Sequence, residues 1–557
     1  MTGDKWDRPE AGRDRAATAL LAWLADPDAP RLCLVSGRER CGKSTLLAWL
    51  VGHGTRPGTL PARRVHAFFP LEGQSVRGTV WALADQLGVV ARSPAELVEA
   101  LSADKRRTVL VLPGLDASVD PATLTDLVRA LSGLEHLRLL VETRSGGDTL
   151  ASLNSGEVAV MDLDDSQWTD SAREAVSQAA HTAPRRSPGL LTGTVADLDD
   201  PWAICSADPW EVTTIFENST DSHGGLRAAW LRAGQSLCRE QDAAGRALTL
   251  WASLGDSADP RVGVELARLA SPSAWAVEWA RTRGDISPPW PGPGLALAVG
   301  RGQLSGQIIL ADHGGTLRAI AERGATATGR LPQSVPETRA VACLASGEVW
   351  VLDGRGQLCM QKWGLTPRSS AIAALLDEPQ PAKRAAGALT AHLADTPGTA
   401  LAASDEAVAV GDAAGAVHTF ALTADGAGAK RRAHLHTARV TALAALEIPI
   451  DGSPDTTALV YSGGADGTVR AWAPALEPDP AAVTARPHAV RAVSAAYTNA
   501  GVVLAVAWAD GLVELRHVDA GESRAFRPGP PVNALALTRD ERLVIGMDAS
   551  VVCLRPR

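Results

Sequence analysis

The stretch Leu32-Cys-Leu-Val-Ser-Gly37-Arg-Glu-Arg-Cys-Gly42-Lys43-Ser44-Thr45-Leu-Leu47 decides how the amino-terminal part of this 557-residue chain is read. Leu32–Ser36 is a short apolar run of strand character, Gly37–Ser44 fits the spacing G-x4-G-K-[ST], and a helix-like run starts by Leu46. Strand, loop and helix in that order form a phosphate cradle. The main-chain N–H groups of the loop and of the helix start point at an anion, and the helix dipole adds to their field. Gly37 and Gly42 let the chain turn with no Cβ in the way. Lys43 is expected to reach the β- and γ-phosphates of a nucleotide, Ser44 to ligate Mg²⁺, and Thr45 to add a hydroxyl nearby. The loop interior holds Arg38, Glu39, Arg40 and Cys41. The three charged residues are larger than is usual there, but backbone donors are indifferent to side-chain identity. Cys41 reads as a small packing residue and not as a redox centre.

On either side of the loop, short apolar runs alternate with helical stretches through residue 165, the pattern of a parallel α/β sheet. The runs are Leu32–Ser36, Val65–Phe69, Thr108–Leu112, Leu137–Glu142 and Val158–Leu163. None alternates apolar with polar, which suits strands covered on both faces. A Pro- and Arg-rich stretch, Pro184 to Pro188, leads into helical periodicity: Leu226, Trp230, Ala233 and Leu237 share one stripe. Leu248 with Trp251, and Val262 with Leu266 and Leu269, repeat the geometry, so these tryptophans read as core. The segment Asp285–Gly294 breaks any regular element and is expected to be the next boundary. Beyond it, short strands alternate with turns at Gly315, Gly356, Gly415, Gly467, Gly511 and Asp548-Ala549, at steps of which the second and third are the longest. A period near forty predicts a β-propeller of six or seven blades, with loop insertions in the two long steps. The expected fold class is therefore multidomain: an α/β nucleotide-binding domain over 1–165, a helical middle domain over 166–290 and an all-β propeller over 291–557.

The carboxylates are less regular. A phosphate-loop ATPase ends the strand equivalent to Thr108–Leu112 with an acid that holds the Mg²⁺ shell. Here Pro113 stands in that place, followed by Gly114-Leu115-Asp116. Asp116 fits two roles, holding a metal-bound or attacking water or capping the next turn. Without the usual acid, binding is expected to survive better than fast hydrolysis. The acidic run Asp162-Leu-Asp164-Asp165 reads as a solvated turn.

These residues resemble the STAND class of P-loop NTPases, the signal-transduction ATPases with numerous domains. Gly12-Arg13-Asp14, ahead of the loop, looks like the Gly-Arg-Glu motif that opens that domain. Leu110–Asp116 looks like its strand, acid and Gly-Leu-Asp, with the first acid lost. Leu139–Arg144 looks like its sensor strand, whose terminal arginine faces the γ-phosphate. The resemblance implies that Gly12, Arg13 and the loop bind ATP with Mg²⁺, and that Lys43, Asp116 and Arg144 serve any slow hydrolysis. The carboxyl-terminal part is similar to WD-repeat propellers. Its best unit runs from His436 to Trp472, with His436, Ser462, Asp466 and Trp472 in the places of that family's buried hydrogen-bonded tetrad. A Ser, His and Asp together also suggest a hydrolase, but a satisfied polar chain that stiffens a thin blade needs no substrate. His488 is expected to serve similarly in the next blade.

Together the resemblances imply a regulatory switch. Nucleotide state would control assembly or partner output, and the propeller would sense a ligand or protein. The alternative is a non-hydrolysing scaffold whose propeller is the interaction surface. The stretch before Gly12 is too short for an effector domain, so the output is expected to be a protein partner, a separate effector chain or the protein's own homo-oligomer. A formal charge of −9 argues against a nucleic-acid-coating protein. No run is long and apolar enough for a membrane span, and no secretory signal opens the chain. Seven cysteines without a Cys-x-x-Cys pair argue against a disulfide framework or zinc site and fit a reducing cytoplasm. The strong excess of arginine over lysine reflects coding bias and not chemistry.

Overall fold

The computed structural model describes residues 12–56, 58–168, 197–282, 294–363, 381–422, 429–450 and 453–557. The chain divides into two compact units, Met1–Ala196 and Asp197–Arg557. The Pro184–Pro188 stretch and nearly all of the Asp285–Gly294 breaker lie outside the described residues.

In the first unit, strands β1 (Leu32–Ser36), β2 (Ala67–Phe68), β3 (Thr108–Leu112), β4 (Leu137–Glu142) and β5 (Val158–Asp162) form one sheet in the order β2-β3-β4-β1-β5. Every pairing is parallel. Helices α1 (Asp14–Ala25), α2 (Lys43–Gly54), α3 (Val76–Leu87), α4 (Pro94–Ala103), α5 (Pro121–Ser132) and α6 (Asp148–Leu153) accompany them. Cys33, Val35, Val109, Val111 and Leu140 pack in one cluster with α1 and α2. The alternate residues Leu34, Leu110, Leu112, Leu139 and Val141 are also buried, and this double burial is why the strands read as unbroken apolar runs. The loops that bear on the phosphate site follow β1, β3, β4 and β5. They lie at the carboxyl ends of the strands, the edge where open α/β sheets bind ligands.

The second unit begins with helices α7 (Pro201–Ser206), α8 (Pro209–Asn218), α9 (Leu226–Leu237), α10 (Ala243–Ala252) and α11 (Pro260–Leu269). Asp200-Pro201, Asp208-Pro209 and Asp259-Pro260 start three of them. In each, the aspartate accepts from an amide of the first turn while the proline supplies a pre-set φ. The stripe Leu226, Trp230, Ala233 and Leu237 is buried as its spacing predicts.

Six sheets follow, and their innermost strands touch in sequence around a closed ring, from 296–299 through 340–343, 400–403, 440–449 and 490–498 to 532–537 and back. The propeller therefore has six blades. The last takes its outermost strand from the amino-terminal side: β6 (Trp275–Thr282) pairs antiparallel with Ser550–Pro556. The propeller thus starts at residue 275, ahead of the expected boundary. The run Trp275-Ala-Val-Glu-Trp-Ala-Arg-Thr282 alternates in burial, and its nearness to helical residues hid that signal. The helices do not keep a core of their own. Leu226, Trp230, Leu237, Leu250 and Trp275 share one cluster with Val503, Leu515, Leu535, Ile545 and Leu554 of the last two blades. The longest step between turn glycines, from Gly356 to Gly415, contains a helix, α12 (Pro381–Asp395), and not merely a loop. Its Ala385, Ala386, Leu389 and Leu393 pack against Trp350 and Phe420.

The turn glycines have a physical reason. Gly415 and Gly467 lie at φ +89° and +76°, and a Cβ on either would come within 2.1 Å of the carbonyl oxygen of His436 or Arg486. An aspartate closes the same turns. Asp312, Asp353 and Asp412, each three positions before the glycine, accept two turn amides apiece. In the next two blades the acid moves next to the glycine, as Asp466 and Asp510.

The polar chain in the fourth blade joins three of its four expected members. His436 Nδ1 donates to Asp466 Oδ1 at 3.1 Å, and its Nε2 accepts from Ser462 Oγ at 2.8 Å. Trp472 instead sends its indole N–H to the Leu476 carbonyl at 3.0 Å. Ser462 is wholly buried, so the chain stiffens the blade and presents no nucleophile. His488 stands 3.8 Å from Asp510, whose carboxylate is also held by Arg486 and Arg527.

Two tests follow from this packing. Trp275 is buried where the helices meet the propeller and donates to the Ala525 carbonyl at 3.0 Å. Trp275→Ala should cost about 3–5 kcal/mol, and hydrogen exchange should rise together in α9 and in strand 550–556. Exchange rising in the strand alone would separate the two cores. Burial lowers the pKa of His436 and His418 and, with His418 and Lys430 nearby, takes His392 down to about 4. These rings stay neutral when folded but take up protons when unfolded near pH ~6.5. Stability is therefore full above that pH and declines as pH falls toward about 4. Urea midpoints at stepped pH should show this decline, and it should be shallower in His392→Gln.

Candidate nucleotide-binding site

The loop between β1 and α2 is held from two sides. Lys43, only 6% exposed, turns back over it and donates to the carbonyls of Gly37 and Arg38, both at 2.8 Å. Arg13 reaches it from behind. Its guanidinium donates to the Cys41 carbonyl at 2.7 Å and to the Leu163 carbonyl, just past β5, at 3.0 Å. Gly12, at φ +68°, turns the chain into the helix that follows Arg13. With those carbonyls engaged, the first amides of α2, from Lys43 onward, remain helix-start donors without intrahelical acceptors. Gly42 precedes them at φ +92°, and Arg40 holds φ +62°, a conformation few non-glycine residues adopt. A Cβ on Gly37 would lie 2.5 Å from Cys41 Sγ, so the glycine is required by close packing. Cys41 is half-buried, and burial raises its thiol pKa although Lys43 and Arg13 pull it down. That is the profile of a packing residue. Arg38, Glu39 and Arg40 are exposed, Ser44 is exposed at the first turn, and Thr45 is half-buried behind it.

The acids are placed differently from the sequence reading. Asp116 has both carboxylate oxygens engaged, one accepting from the Arg144 amide at 2.7 Å and the other from the Thr149 hydroxyl. Both partners belong to the loop after β4 and the helix that follows it, and not to the turn next to Asp116 that the sequence suggested it would cap. Arg144 is exposed, and through its main chain it fastens the loop after β4 to Asp116. The acidic run after β5 is not merely solvated. Asp164 accepts the Arg38 amide at 2.8 Å, and Asp162 accepts the Ser145 hydroxyl at 3.1 Å.

A carboxylate that the sequence reading passed over meets the loop directly. Glu142 ends β4, in register beside Val35 of β1. The Ser44 hydroxyl donates to it, 2.9 Å from Oε2 and 3.2 Å from Oε1, and Lys43 Nζ stands 4.0 Å away. Burial pushes the Glu142 carboxyl above its ordinary range. Ser44 and Lys43 pull it back, and the charges of Asp116 and Glu72 push it further up. Its signal lies in the sequence: it is the acid at the carboxyl end of a buried, mostly apolar strand, two positions before Arg144.

The donor set fits a nucleotide's phosphates: helix-start amides, a fixed ammonium, and a hydroxyl beside a carboxylate that suits a hard cation. At the opposite edge of the sheet is a cavity of about 630 Å³ lined by Arg31, Arg107, His136 and Arg138. There Arg107 and Arg138 donate to carbonyls at the end of α1 and just after it, which makes them structural. The propeller's channel, about 600 Å³, is lined by Ala298, Ala342, Ala402, Ala444, Ala496 and Ala536, one from each innermost strand, and Arg301 pairs with Asp405 at its rim at 2.7 Å.

No family model matches the chain, and no curated protein matches it. Among solved structures, the crystal structure of the computationally designed Ika8 protein is similar at 17% identity with a TM-score of 0.28. The match covers 47% of this chain and 70% of that one. No helix among the described residues is long and apolar enough to cross a membrane.

If Arg13 sets the loop's shape, Arg13→Ala should lose about 1.5–3 kcal/mol from its charged hydrogen bonds. Exchange should speed up in the amides of 37–42 while those of β3 and β4 stay protected. Unchanged exchange in the loop would show that Arg13 is not what holds it.

Proposed function

We propose that the first unit binds ATP with Mg²⁺ and acts as the nucleotide-dependent part of a STAND-like regulatory switch. The single observation behind this reading is the loop itself, with Lys43 buried across it and Ser44 at the helix start. Lys43 would meet the β- and γ-phosphates from its fixed place at the loop mouth. The amides at the start of α2 would bind the same phosphates, and Ser44 would ligate the metal. Bound Mg²⁺ would neutralise phosphate charge. The residues of this chain set the geometry around it.

In this reading the nucleotide biases one of two packings of the protein, which takes a few kcal/mol of differential binding. The propeller presents the surface that a ligand or protein partner contacts, and the output is a partner chain or a homo-oligomer. Pro113 and the engaged Asp116 favour slow turnover, because neither offers a free carboxylate after β3 to position water. The same observation keeps a second reading in view, a scaffold that holds nucleotide without hydrolysing it. Phosphate release accelerated by a partner would remove the scaffold reading.

Lys43→Ala should retain the fold by circular dichroism and lose nucleotide affinity by about tenfold to a hundredfold in calorimetry, the worth of a charge-assisted contact. Equal affinity in the two proteins would remove the site.

A further inference from the structure

Where a metal-holding acid should follow β3 stands Pro113, yet the hydroxyl expected to ligate the metal already has a carboxylate partner. Glu142 reaches Ser44 from β4, which lies between β3 and β1. We infer that Glu142 takes over the acid's role, holding Mg²⁺ beside Ser44 either directly or through one water. The inference rests on the nucleotide reading above.

Three features of the geometry carry it. Ser44 donates its proton to Glu142, which leaves the lone pairs of its oxygen directed elsewhere, as a metal-ligating hydroxyl requires. Glu142 is 8% exposed, and a side chain so placed has few rotamers with which to leave the site. Its cationic neighbour, Lys43, is already committed to two carbonyls and stands 4.0 Å away. The carboxylate is therefore not consumed by a tight ion pair. Asp116 and Glu72 add negative potential at the same place, so the pocket beside Ser44 favours a divalent cation over a second ammonium.

A purely structural carboxylate, present to offset Lys43, makes the opposite prediction. It would repel the triphosphate, and removing its charge would tighten nucleotide binding whether or not metal is present. The test is calorimetry of the full chain with ATP in excess Mg²⁺ and with ATP in EDTA. The quantity read is the ratio of the two affinities. The wild type should bind more tightly with Mg²⁺. Glu142→Gln should bind ATP in EDTA at least as well as the wild type, yet lose at least tenfold of the Mg²⁺-dependent gain. Ser44→Ala should lose a similar gain, and the double variant should lose little more, because both residues would serve one ion. A wild-type ratio in Glu142→Gln overturns the inference while leaving nucleotide binding intact, and so does fully additive loss in the double variant. Absence of ATP binding by the wild type in both buffers would instead bring down the reading on which the inference rests. A thermal melt of each variant before titration separates loss of fold from loss of metal.

Discussion

An ammonium folded back onto the carbonyls of its own loop shapes the first unit. Lys43 draws the Gly37 and Arg38 carbonyls toward itself, and the peptide groups that follow turn their N–H bonds the other way. Arg13 does the same from outside, taking the Cys41 carbonyl and tying it to the end of β5. Two cations thus fix three carbonyls of the loop, while the Arg38 amide is held by Asp164. Burying both costs desolvation, which charge-assisted hydrogen bonds to carbonyls offset only where the geometry is fixed. The glycines at the two ends of the loop follow from this. One sits against a sulfur atom, the other at positive φ, and neither position accepts a side chain without a clash or strain.

The second unit solves a different problem, closing a ring without a covalent bond. The last blade borrows β6 from the amino-terminal side, so opening the ring means stripping a whole strand. The same strand sits under the helices, which is why those helices share a core with blades five and six. Six innermost strands meet around a channel to which each contributes an alanine, beside larger residues such as Leu297, Leu401, Leu443 and Leu535. The turns on the blades are pinned by aspartates that find partners case by case: Arg318 pairs with Asp312, the neutral rings of His418 and His436 hydrogen-bond Asp412 and Asp466, and two arginines pair with Asp510.

What could be read from the sequence depended on how local its cause was. Leu32–Ser36, Thr108–Leu112 and Leu137–Glu142 appear as strands with those bounds because burial on both faces writes itself into consecutive residues. The helical stripe ending at Leu237 and the turn glycines were legible for the same reason. Strand order was not legible, and it hides the most: that β4 lies beside β1 brings Glu142 to Ser44, 98 residues away, and no spacing rule reports that. β6 was missed because its partner comes at the other end of the propeller. The insertion before the third blade was expected as a loop, since the alanine-rich run that forms α12 has a narrow apolar stripe and reads weakly in isolation. Asp116 could not be decided from sequence because its partners, Arg144 and Thr149, belong to another loop.

If Glu142 takes the metal-holding role, moving that acid from β3 to β4 bears on chemistry as well as position. In this sheet β4 is the immediate neighbour of β1, whereas β3 is one strand further out. An acid at the end of β4 therefore meets the first turn of α2 directly, at the Ser44 hydroxyl. Asp116, the nearest alternative, is held by an amide and a hydroxyl, and freeing it would undo the turn before α6. An arrangement of this kind separates two tasks that one acid-bearing strand commonly combines: gripping the metal and ordering the water that attacks. On the proposed reading, a site that keeps the first and lacks the second would hold its nucleotide longer than a metabolic catalyst does, which is the lifetime that a timing device needs.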